Sequence, residues 1–163
     1  MMLPLTLSGL VMVERPSTTD DALADALTSI MRRLEREKPL HLSRTGDRID
    51  FKGGLLRLVS SWNQLVAISR GEIRVERRVR GLSVRYDLWF TQLLVVVTVA
   101  VGGFFGPPIM AAPNLSIAGK LAVLSAAWLW LAGGNIAITA FRFPRLLRQA
   151  VESKRHAGYK PGT

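Results

Sequence analysis

Two long apolar runs dominate the second half of the chain. The first, residues 88–106, carries no charged residue, and the second, residues 117–141, carries only Lys120. A helix needs about 20 apolar residues to cross a bilayer core of roughly 30 Å. Because backbone polar groups in lipid must be satisfied within the segment, helices are the expected form. The pattern therefore predicts a transmembrane hairpin of two helices over residues 88–141.

The clearest element before this hairpin is an amphipathic helix over residues 18–37. Apolar residues between Leu23 and Leu34 recur at spacings of mostly three and four, which places them in one stripe. Asp20 lies in the first turn, where the helix dipole favours negative charge. Pro39 follows a basic last turn and ends the helix.

Alternating apolar and polar residues around this helix predict β-strands. The first strand is expected to have a bulge or bend at Gly9, and turns are expected at residues 45–47 and 70–72. One helix on an antiparallel-leaning sheet is an α+β fold, which we assign to residues 1–87. The predicted strands lie near residues 3–13, 40–43, 49–52, 62–69, 73–79 and 82–88, with 55–60 as a strand or a connection.

The ends of the hairpin define the remaining organisation. The last predicted strand runs from Asp87 into Leu88 without a linker, so we expect the α+β domain to lie close to the bilayer. Residues 142–163 are expected to form a basic tail that begins as a short amphipathic stretch and then frays.

Charge predicts the orientation of the hairpin. The chain has 22 Lys and Arg against 12 Asp and Glu, a formal net charge of +10. Basic residues flank one side of the hairpin, and the loop 107–116 has no charge. The positive-inside bias therefore predicts a multi-pass protein of the plasma (bacterial inner) membrane, with a cytoplasmic domain and both termini in the cytoplasm.

The same arginines are candidates for contact with anionic lipid headgroups, because the last strand leads towards the bilayer. An ordinary solvated strand face is the alternative interpretation of residues 70–85. A nucleic-acid surface fits poorly, since Glu72, Glu76 and Asp87 interrupt the run and aromatic residues are few. The residues assigned to membrane-surface contact are Arg74, Arg78, Arg80, Arg85, Arg142, Arg145 and Arg148.

Small and aromatic residues within the apolar runs predict a packing or partner surface. Gly102 and Gly106 have the spacing of a close-packing motif, which serves either the packing of the two helices or self-association. Trp128 and Trp130 lie near the middle of a run, where indole N–H groups need partners. The residues assigned to this surface are Gly102, Gly106, Trp128, Trp130, Gly133, Asn135 and Ala137.

A search of the sequence for catalytic or metal-binding groups gives no candidate. The absence of cysteine excludes disulfides, thiol catalysis and thiolate metal sites. His41 and His156 are isolated, and the acidic cluster near Asp20 is explained by its place at a helix N-terminus. No phosphate-binding or dinucleotide-binding glycine motif is present. We therefore expect no catalytic residues, no metal and no cofactor.

These features favour a non-enzymatic, membrane-anchored accessory or scaffold protein. Its cytoplasmic domain would interact with a protein partner or a second copy, and its membrane side with lipids. Two alternatives stay open at this point. One is a sensory module that binds a lipid or another small ligand, and the other is a small subunit of a transport or secretion assembly.

Overall fold

A computed structural model describes residues 5–14, 20–53, 67–79 and 81–152. It contains a five-stranded antiparallel sheet in the order β1-β5-β4-β3-β2 together with helices, which confirms the predicted α+β class. The strand or connection predicted at 55–60 and the first part of the strand predicted at 62–69 lie outside the described residues, and residues 67–69 are not in a strand. The strands are β1 (Thr6–Glu14), β2 (His41–Thr45), β3 (Arg48–Lys52), β4 (Arg70–Arg78) and β5 (Gly81–Trp89).

Strand β1 is regular, so the bulge expected at Gly9 is wrong. Its pairing with β5 runs without a break from Thr6 opposite Trp89 to Glu14 opposite Gly81. The glycine serves a different purpose, because a Cβ atom at position 9 would overlap the ring of Tyr86.

Strand β4 begins at Arg70, so the turn expected at residues 70–72 is also wrong. Gly71 lies within the strand opposite Phe51, and a Cβ atom at this glycine would overlap the phenyl ring. Gly9 and Gly71 therefore both make room for aromatic rings on neighbouring strands.

Helix α1 (Asp20–Arg36) confirms the predicted amphipathic helix, although residues 18 and 19 lie outside the described part of the chain. It ends in a left-handed residue, Lys38, whose N–H donates to the carbonyl of Glu35 at 2.9 Å. Pro39 then prevents a further helical turn. The buried residues of α1 are Ala22, Ala26, Leu27, Ile30 and Leu34.

The first apolar run contains α2 (Thr91–Ala100), a π-helical segment (Val101–Phe105) and α3 (Gly106–Ala111). Pro107 and Pro108 have no N–H to donate to the preceding turn, which accounts for the irregular segment before them. Together these pieces form a helix of 21 residues, Thr91–Ala111, that is long and apolar enough to cross a membrane.

The second apolar run lies in α4 (Ile117–Glu152), which has 36 residues and also meets this criterion. Ser116 caps it, since its Oγ accepts the N–H of Gly119 at 3.1 Å. The helix continues 11 residues past the predicted end of the run at residue 141.

The last turns of α4 belong to the core of the domain. The short amphipathic stretch expected from residue 142 is present as the end of α4, but up to residue 152 it packs in the domain core and is not a tail. Five buried residues recur at helical spacing in this stretch and join the same hydrophobic core as the sheet. One face of the sheet is thus covered by two helices, α1 and the end of α4, where a single helix was expected. The buried residues are Phe143, Leu146, Leu147, Ala150 and Val151.

Candidate functional site at the junction of the domain and the apolar helices

The first connection between the domain and the apolar helices is the single residue Phe90, which is fully buried between β5 and α2. Its N–H donates to the carbonyl of Leu5 at 3.2 Å, and the carbonyl of Trp89 accepts the N–H of Ser69 at 2.7 Å. The hydroxyl of Ser69 also accepts the N–H of Gln92 at 2.7 Å. Hydrogen bonds from the residues that directly precede β1 and β4 therefore fix the junction that the sequence predicted to have no linker.

The second connection is α4, whose Phe143 enters the aromatic core. Its ring stacks on Phe51 with centroids 6.0 Å apart and meets Tyr86 edge-on at 5.2 Å. Burial raises the pKa of the Tyr86 phenol above its ordinary value. Gly9 and Gly71 leave the space that these rings occupy. The sequence analysis missed this cluster, although the three- and four-residue spacing of apolar residues after Phe143 was a usable signal.

A hydrogen bond joins α2 to α4 within the apolar region. Trp128 Nε1 donates to Thr98 Oγ1 at 3.0 Å, and this hydroxyl donates in turn to the carbonyl of Leu94 at 2.8 Å. The indole of Trp128 thus has its partner inside the chain. The side chain of Trp130 is 81% exposed.

The side-chain amide of Asn135 forms its hydrogen bond within α4 and not across to α2. Its Nδ2 donates to the carbonyl of Leu131, one turn earlier in α4, at 2.7 Å. The backbone carbonyl of Asn135 accepts a hydrogen bond from the hydroxyl of Thr139 at 2.9 Å. The side chain of Asn135 is exposed, as is that of Ala137.

The glycines of the apolar runs do not pack α2 against α4. A Cβ atom added at Gly102 or Gly133 would meet nothing within 4 Å. Gly106 is buried, while Gly102 is exposed. Gly102 and Gly133 thus lie on the open surface of the apolar helices, and the role of the Gly102–Gly106 motif stays a prediction.

An open groove between α2 and α4 runs past Gly102. Its volume is about 500 Å³, and its walls are mainly apolar. It is lined by Thr98, Val101, Gly102, Leu124, Ser125, Trp128 and Leu129.

The predicted headgroup-binding arginines of β4 and β5 lie at different distances from the two ends of the sheet. We call the end at Trp89, where β5 leads into α2, the junction end, and the opposite end the far end. Arg78 lies opposite Gly81, eight residues from Trp89 along β5, which is about 26 Å at about 3.3 Å per residue. Arg74 and Arg85 lie opposite each other about 13 Å from Trp89. Strand β5 thus leads to the apolar helices at the junction end, whereas Arg78 lies at the far end. Arg80 lies outside the described residues.

Arg74 takes part in a network of ion pairs on the outer face of the sheet. Its Nε lies 2.6 Å from Glu72, a residue that is only 7% exposed and that also pairs with Arg48 at 3.0 Å. Arg48 donates twice to Asp50, at 2.7 and 2.9 Å. This hydrogen bonding lowers the pKa of the Asp50 carboxyl, and the nearby Arg70 lowers it further. The network gives Arg74 a structural role in the sheet.

The three arginines predicted on α4 are all exposed. Arg142 precedes Phe143 and therefore lies near the junction end, while Arg145 and Arg148 follow along the part of the helix that covers the sheet. Arg148 pairs with Glu152 at 3.7 Å on the next turn.

Within the described residues, no three side chains of His, Cys, Asp or Glu come together in a group that could hold a metal ion. His41 is exposed at the start of β2. Comparisons of the whole chain with protein-family models, with curated proteins and with solved structures gave no match, so the functional argument rests on the geometry described above.

Proposed function

We propose that the protein is a non-enzymatic, membrane-anchored accessory or scaffold protein. A transmembrane hairpin would hold the α+β domain rigidly at the cytoplasmic face of the plasma membrane, with both termini in the cytoplasm. The domain or the hairpin would then bind a protein partner or a second copy of the chain.

The observation that carries this proposal is the continuity of α4. The helix runs from Ile117 to Glu152, and its last turns, from Phe143 onwards, are buried in the domain. Together with the hydrogen-bonded junction at Phe90, this leaves the domain no flexible tether to the hairpin. A rigid anchor of this kind favours a protein that presents a surface at a fixed height and orientation.

The surface of the apolar helices supports the membrane part of the proposal. Val99, Phe104 and Phe141 are 66%, 79% and 70% exposed, respectively. The core helix of a water-soluble protein would bury such side chains, whereas lipid covers them in a bilayer. Arg142, on the domain side of α4, is consistent with a cytoplasmic domain under the positive-inside rule.

Purification of the tagged full chain from native membranes in a mild detergent tests the proposal. We expect a stoichiometric complex whose protein mass, measured by light scattering, exceeds the 18.0 kDa of one chain. Recovery of a lone 18.0 kDa monomer from freshly solubilised membranes would contradict it.

The two alternatives predict different results in the same preparation. A sensory module would gain thermal stability from an added lipid or metabolite, and a transport or secretion subunit would co-purify with a larger membrane protein. We place the scaffold first because it follows most directly from the rigid junction.

A further inference from the structure

The topology brings the basic end of α1 to the junction end of the sheet. Asp20, at the start of α1, contacts Arg77, which lies at the far end. The helix ends at Arg36. The chain then leads to β2, and just before this strand the N–H of Leu40 donates to the carbonyl of Lys52 at 2.9 Å. The last turn of α1 and the end of β3 therefore lie at the junction end.

Two strands bring further basic residues to this end. Lys52 is the last residue of β3, and Arg70 is the first residue of β4. Since Phe51 lies opposite Gly71, these two side chains occupy neighbouring positions on the outer face. Trp89 lies opposite Arg70 on β5 and completes the row.

The guanidinium of Arg70 keeps donors for a ligand. It lies 5.5 Å from the centre of the Trp89 ring, within the range of a cation–π contact, and its side chain is 52% exposed. Its distance to Asp50 is 3.5 Å, whereas Arg48 holds that carboxylate at 2.7 and 2.9 Å. Because a guanidinium has five N–H donors, this single long contact leaves most of them unused.

We propose that the junction end binds the phosphate groups of anionic phospholipids through four exposed basic residues around Trp89. We call this set the basic rim, and it consists of Arg36, Lys52, Arg70 and Arg142. The proposal rests on the membrane anchoring proposed above. It moves the predicted lipid contact away from Arg74, Arg78 and Arg85.

The position of Trp89 favours lipid over other acidic partners. This residue lies two positions before the first residue of α2, the depth at which tryptophan marks the membrane interface. A basic residue at this depth contributes about fivefold to the affinity for an anionic leaflet. Electrostatic attraction falls off over about 8 Å at physiological salt, so Arg78, about 26 Å away along the strand, contributes little.

The test is a lipid-binding measurement on the full chain in a neutral detergent. Phosphatidylglycerol or phosphatidylcholine with the same acyl chains is added, and bound lipid is counted by native mass spectrometry. We expect the wild-type chain to bind phosphatidylglycerol at least about 25-fold more tightly than phosphatidylcholine. The double variant Lys52→Gln/Arg70→Gln, which removes two charges, should lose about 25-fold of this preference.

The matched control is Arg77→Gln/Arg78→Gln, which removes the same charge from exposed positions at the far end. It should keep the preference for phosphatidylglycerol within twofold. Circular dichroism and the melting temperature in pure phosphatidylcholine establish that both double variants are folded, and the single variant Lys52→Gln should show an intermediate loss.

Three results would overturn the proposal. The first is an equal loss in the control variant, which would indicate a general charge effect. The second is a wild-type chain that does not distinguish the two lipids. The third is an unchanged lipid preference in the rim variant together with loss of a co-purifying protein, which would assign the rim to that protein. The rim variant can lose its preference for phosphatidylglycerol while the purified protein complex stays intact, so this test is independent of the purification test.

Discussion

Helix α4 passes through two different environments. Between residues 117 and 142 only Ala132 and Thr139 are buried, whereas five of the ten residues from 143 to 152 are buried. The first part is apolar around most of its circumference, and the second has one apolar stripe and an exposed basic face. The comparison teaches that one continuous helix can be packed in a protein core along one part and stay exposed and apolar along the other, as the proposed membrane span requires.

The domain and the apolar helices also use glycine in opposite ways. Gly9 and Gly71 in the sheet face aromatic rings that occupy the space of a side chain. Gly102, Gly103 and Gly133 in the apolar helices face open space. Close packing therefore restricts the sequence in the domain, while the hairpin leaves its small residues available to lipid or to a partner.

Truncation of Phe143 should have the largest effect on the comparison, with truncation of Phe141 as its control. Phe143→Ala removes a ring that is 1% exposed and packed against two others, so we expect a loss of about 3–5 kcal/mol in the free energy of unfolding. Phe141→Ala, two residues earlier, removes a ring that is 70% exposed and serves as the control.

Denaturant unfolding of the full chain in detergent micelles, followed by near-UV circular dichroism, measures both variants. We expect the midpoint of Phe141→Ala to stay close to that of the wild type. Similar losses in the two variants would show that the end of α4 does not contribute to the domain core.

Glycine substitutions should sharpen the comparison with a smaller effect. Gly71→Ala forces the ring of Phe51 to move, which we expect to cost about 1–3 kcal/mol. Gly103→Ala adds a methyl group into open space on a helix and should be neutral or stabilise by up to about 1 kcal/mol. Melting temperatures of the two variants give the sign of each change, and a stabilising Gly71→Ala would refute the close approach of Phe51.

Patterns within single elements were predicted well from the sequence. The amphipathic helix α1, the turn between β2 and β3 and the long apolar helices all follow from local periodicity and length. The amphipathic stretch after residue 141 was also predicted, but its place in the domain core was missed because Arg142, Arg145 and Arg148 were interpreted as a topology signal.

The difference between the predicted lipid contact and the proposed one has a separate cause. The sequence shows that β5 leads into the first apolar run, but only the pairing of β4 with β5 shows which arginines lie at which end. Arg70 precedes Arg78 by eight residues, and the antiparallel register places it next to Trp89. Contacts of this kind depend on register between strands, which local patterns do not reveal.

Cysteine labelling at the end of α4 tests most directly whether this helix enters the domain. The chain has no cysteine of its own, so Leu147→Cys and Arg148→Cys each supply a single thiol at neighbouring positions. Leu147 is fully buried, whereas the side chain of Arg148 is 62% exposed. In native membranes, a water-soluble maleimide should label Leu147→Cys at least tenfold more slowly than Arg148→Cys, and the difference should vanish in denaturant. Equal labelling rates in the folded protein would contradict the account.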